Sequence, residues 1–65
     1  MTRWTAADIE EGQRYPLRDG GECIVVDVTT HEAFPGWTFV AFRKIGDPKR
    51  EHRTMAMFLE LLKHS

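Results

Sequence analysis

The side chains most able to make or break bonds are Cys23 and the histidines at 31, 52 and 64. Their spacing argues against that use. Cys23 and His31 fall on one face of a predicted strand, but eight residues of extended chain hold them roughly 26 Å apart. A reactive thiolate needs a base or a cation beside it. Zinc needs three or four ligands at short spacing. The chain has no HxH, HxxxH or CxxC, and His31-Glu32 is only a two-ligand fragment. Glu10 and Glu11 are adjacent, and adjacent helical residues do not face each other; Asp8 and Glu11, three apart, share a face more nearly. There is no phosphate-cradling glycine loop and no nucleophile elbow. A chain of 65 residues with one sheet leaves little room for a closed pocket. The sequence therefore predicts no enzyme, no metal and no cofactor.

Charge is more informative. Segment 44–53, KIGDPKREHR, gathers Lys44, Lys49, Arg50, Arg53 and His52 in a chain of formal net charge −1. Residues 1–32 carry seven acids and three bases, whereas residues 33–65 carry three acids and six bases. Such asymmetry can give a small protein two oppositely charged faces that steer partners. The alternative is that the strands interleave and mix the two halves. The acidic candidates for partner binding are Asp8, Glu10, Glu11, Asp19, Glu22 and Glu32; Asp27 lies mid-strand. The basic alternative is Lys44, Lys49, Arg50 and Arg53. Nucleic-acid modules usually have pI above about 9, while this chain has pI near 6.3. Asp47 and Glu51 interrupt the basic run. The aromatics sit in apolar strand patterns instead of alternating with Arg and Lys, as a stacking platform requires. An outward Trp37 or Phe39 would weaken that objection. Direct DNA or RNA binding is thus not favoured, and 44–53 reads as a loop leading into a helix.

The elements that must position these charges are few. Thr5-Ala6-Ala7-Asp8-Ile9-Glu10-Glu11-Gly12 reads as a short helix with Thr5 as cap and Gly12 as terminator. Arg14 to Arg18 is an edge strand or irregular extended piece, because Pro16 has no amide donor. Asp19-Gly20-Gly21 is a turn. Residues 22–31 alternate, with Ile24, Val26 and Val28 on the expected buried face and Cys23, Val25, Asp27, Thr29 and His31 on a mixed one. Trp37 to Ile45 is largely apolar on both faces until its basic end, Trp37/Phe39/Ala41/Arg43 and Thr38/Val40/Phe42/Lys44, which suggests a strand that is central or covered on both sides. From about Arg53 the spacing of Met55, Phe58, Leu59 and Leu62 is helical, with Leu61 widening the stripe and Thr54 as cap.

These elements predict one α+β domain over residues 1–65. A small two- to three-stranded antiparallel sheet is covered by a C-terminal amphipathic helix, with a short N-terminal helix at an edge. A partly open SH3-like barrel capped by the terminal helix uses the same elements. The lone Cys23, the absence of a signal-like N-terminus and the lack of a membrane-length apolar run suggest a cytoplasmic protein. A monomer and a weak homodimer are both compatible with the apolar second strand.

The W-x(10)-Y-P-L-R-D-G-G-E-C-I-V-V-D-V front and the V-A-F-R…M-F-L-E-L-L-K tail, in a short single-cysteine chain, resemble a small phage-encoded accessory protein. More narrowly, the chain is similar in length and character to anti-CRISPR proteins, with type I-C systems as the suspected target. That resemblance implies a cytoplasmic protein of the bacterial host cell that binds a Cas protein or effector complex and blocks recruitment of target DNA. An acidic surface imitating the phosphate backbone would pair with the effector's cationic DNA channel.

Overall fold

The computed structural model describes residues 4–34 and 37–64. Four strands, β1 (Arg14–Pro16), β2 (Glu22–Thr30), β3 (Thr38–Lys44) and β4 (Arg50–Thr54), form one antiparallel sheet in sequence order. A helix, α1 (Met55–Leu61), follows directly on β4. The α+β class is as expected, but the sheet has four strands. The additional one is β4, which occupies much of the stretch read as a loop. Charged Arg50-Glu51-His52-Arg53 carries no apolar alternation, so its strand character comes from pairing with β3.

Thr54 caps α1 as expected, its hydroxyl accepting from the Met57 N–H at 3.3 Å. Phe58 is buried in the helix, while Leu62 is buried just beyond its end. There Leu62 bridges to Leu17, and the Arg18 N–H donates to Leu61 O and the Lys63 N–H to Pro16 O, both at 2.9 Å. These bonds tie the chain's C-terminal segment to the outer edge of β1. Pro16 fits this edge because its carbonyl is used and its missing donor is not needed.

The N-terminal helix is shorter than expected. Only one 3-10 turn forms, Ala6–Asp8, with the Asp8 carboxylate accepting from the Thr5 N–H at 2.9 Å. Two turns of isolated helix are marginal without packing. Here the chain spends its hydrogen bonds elsewhere: Tyr15 Oη accepts from the Glu10 N–H and donates to Asp8 O at 2.6 Å. Gly12 has positive φ, at 82°, and its N–H reaches Val25 O on β2.

The core consists of Ile9, Tyr15, Leu17, Cys23, Val25, Val40, Phe42, Phe58 and Leu62. Phe58 is its centre, with ring centroids 5.0 Å from Phe42 and 6.2 Å from Tyr15. Before Val26 the expected core face of β2 is reversed. Cys23 and Val25 point inward, and Ile24 and Val26 are only half-buried. The cause is a bulge: Val25 pairs with Phe42 and Asp27 with Ala41, which leaves Val26 as an extra residue. A bulge advances the side-chain alternation by one, so Val28 rejoins the core side beyond it.

Candidate functional site

β3 lies between β2 and β4, and only one of its faces is covered. Val40 and Phe42 are fully buried beneath α1. The opposite face is open at its start, where Trp37 is 61 % exposed and Phe39 36 %, while Ala41 further along is buried. Of the two expectations for this strand, the central position is the one realised, and α1 packs against its core side. Phe34, in the β2–β3 connection, is 57 % exposed and joins the same group. Ring centroids run from His31 to Phe34 at 5.3 Å, Phe34 to Trp37 at 6.0 Å and Trp37 to Phe39 at 6.4 Å. Exposed aromatics in contact with one another form a surface patch of the kind that marks a binding site.

Cross-strand register shows what shares this face. Arg14 pairs with Ile24, Ile24 with Arg43, and Arg43 with Arg50. Paired residues project to the same side of a sheet, so three arginines form a row across all four strands. One step along β3, His52 and Asp27 flank Ala41; one further step brings Thr54 and Thr29 beside Phe39. By alternation Glu22 and Asp27 are this face's carboxylates, and Asp27 accepts a hydrogen bond from the Thr29 hydroxyl at 3.0 Å. Arg14, Arg43 and Arg50 make no salt bridge among the described residues; the pairs there are Lys44–Asp19 at 3.7 Å and Arg53–Glu51 at 3.3 Å. The outer face thus combines uncompensated arginines with exposed aromatic rings.

The basic residues named from sequence do not act as one group. Arg50 lies on the outer face. Lys44 and Arg53 point to the other side, where they line a cleft of about 310 Å³ floored by Leu17, Phe42 and Leu61. Lys49 is in the β3–β4 turn, its N–H bonded to the Asp47 carboxylate. Trp37 and Phe39 do face outward, the condition that weakens the objection to a stacking platform; Phe34, Arg43 and Arg14 are the residues of this face not expected as contacts. The signal was the Trp37/Phe39/Ala41/Arg43 alternation, which ends in a cation.

The six acidic candidates are also dispersed. Asp8 caps the N-terminal turn, Glu11 accepts from the Val28 N–H at 3.2 Å, and Asp19 bonds the Gly21 N–H and faces Lys44. Glu10, Glu22 and Glu32 are exposed and have no side-chain bond among the described residues. Glu22 and Glu32 flank opposite ends of β2, roughly 30 Å apart along an extended chain.

Cys23 is fully buried, and burial pushes its thiol from 9.0 up to about 11. The thiolate is therefore scarce at neutral pH. No cluster of three or more metal-ligating side chains occurs among the described residues. No described helix is long and apolar enough to cross a membrane. Comparison with family models, with curated proteins and with solved structures finds no match, so function is read from the chain's own chemistry.

Proposed function

We propose that this protein is a non-enzymatic nucleic-acid-binding module whose contact surface is the outer face of the sheet. The observation that carries the reading is the sharing of one face by the Arg14–Arg43–Arg50 row and the exposed Phe34, Trp37 and Phe39. Arginine offers a planar donor fork suited to phosphate, and aromatic rings offer stacking surfaces for bases. Overall pI understates this face, because much of the acidic half lies elsewhere or is engaged in backbone bonds. Three arginines make few phosphate contacts, so binding is modest and strongly salt-dependent.

A second reading is the inhibitor of a CRISPR-Cas type I surveillance complex. Its support is the exposed, unengaged Glu10, Glu22 and Glu32. Their spread suits separate contacts with a protein partner better than continuous imitation of a duplex. A gel shift separates the two. Labelled nucleic acid retarded by this protein alone, and released by salt, supports the module. Unshifted free DNA, with loss of the shift given by a purified type I-C effector, supports the inhibitor and overturns the first reading.

A further inference from the structure

We infer, resting on the nucleic-acid reading, that the outer face takes single-stranded nucleic acid, with an unpaired base stacked on Trp37. In a duplex the base faces are covered by their neighbours, and only edges and phosphates are offered. An exposed ring therefore gains most from a base that is already unstacked.

Trp37 has the surroundings for such a base. Beside it lies a cleft of about 180 Å³ bounded by Thr38, Thr54, Met55 and Ala56. Met55 offers a polarizable side chain against a ring. The neighbouring Phe34 and Phe39 rings are tilted at 42° and 67° to the indole, so neither stacks flat on it.

Arg43 and Arg50 stand together at the far end of a path along β3 and β4 that leads away from this cleft, with Arg14 beyond β2. From Trp37 to Arg43 is six residues along β3, about 20 Å of extended chain. That length holds about six nucleotides at a stacked rise of roughly 3.4 Å, within the roughly 4–16 that one OB fold covers. Asp27 and Glu22 interrupt the face on the β2 side. A flexible single strand can skirt them along β3 and β4, whereas a rigid duplex laid on the sheet brings its phosphates against them.

Fluorescence anisotropy of a labelled oligothymidylate of about 12 nucleotides, beside a duplex of equal length, tests this at about 50 mM salt. The expected result is single-strand binding at least about tenfold tighter than duplex binding. Trp37→Ala is expected to weaken single-strand binding by about 5- to 100-fold, while Trp37→Phe restores most of the affinity. Equal affinity for both ligands, or an unaffected Trp37→Ala variant, overturns the stacking inference while the nucleic-acid reading stands. Binding to neither ligand overturns both and leaves a protein as the partner of this face.

Discussion

Arg43 on β3 and Arg50 on β4 stand directly opposite each other, two like charges in one cross-strand pair. Such a pair is destabilising by a few tenths of a kcal/mol to about 1 kcal/mol. Neither side chain has an acidic partner within salt-bridge distance among the described residues. Arg50→Thr is therefore expected to stabilise the fold slightly, by up to about 1 kcal/mol, since threonine also suits a strand. The same change is expected to weaken nucleic-acid binding and to flatten its logarithmic salt dependence by about one. Urea denaturation and a salt titration measure the two effects. Loss of both stability and binding would show that Arg50 is a structural residue.

The division between the two sides of the sheet is testable with the cations that sequence reading grouped together. Arg53→Gln alters a residue on the opposite side from Trp37, already paired with Glu51 at 3.3 Å. It is expected to change affinity for nucleic acid less than twofold, well below the effect of about 1 kcal/mol expected for a phosphate contact. A drop as large as that of Arg50→Thr would move the binding surface to the cleft beneath Lys44 and Arg53.

Phe58 joins the helix to the sheet. It is fully buried against Tyr15 and Phe42. Phe58→Ala removes about 3–5 kcal/mol by lost burial and cavity formation. A domain of this length has roughly 3–10 kcal/mol in total, so the variant is expected to be largely unfolded by circular dichroism at room temperature. A cooperative, near-native melting curve would contradict the assignment of Phe58 as the core's centre.

Cys23 makes stability pH-dependent at the alkaline end. Its thiol ionises near 9.0 in the unfolded chain and near 11 when folded, because burial disfavours the thiolate. Between those values the unfolded state holds fewer protons, so stability falls as pH rises. The full loss is about 2–3 kcal/mol above pH 11, and none of it operates below about pH 8. Cys23→Ala is expected to flatten the stability profile between pH 9 and 11 relative to the parent. Equal slopes in the two proteins would show that other groups control alkaline unfolding.

Much of the fold is legible in the chain because several signals agree locally. Thr54 before Met55, Phe58 and Leu59 specifies a capped helix, and Asp19-Gly20-Gly21 specifies the first turn. What is not legible depends on pairing across the sheet. The bulge at Val26 reverses the phase of β2 without leaving a mark in composition. Charged β4 acquires its strand conformation from β3. The candidate site shares this dependence: Trp37 and Phe39 look like core residues until α1 is seen to cover only the face of Val40 and Phe42. Arg14, Arg43 and Arg50 become one row only through the register of four strands.

On this reading the outer face of the sheet, not the acidic N-terminal segment or the inner cleft, is the contact surface. Amide chemical-shift mapping with an oligothymidylate of about 12 nucleotides tests it most directly. The largest perturbations are expected at Trp37, Phe39, Arg43, Arg50 and His52, together with the Trp37 indole N–H. Perturbations centred on Glu10 and Glu32 or on the Lys44–Arg53 side, or none at saturating ligand, would count against it.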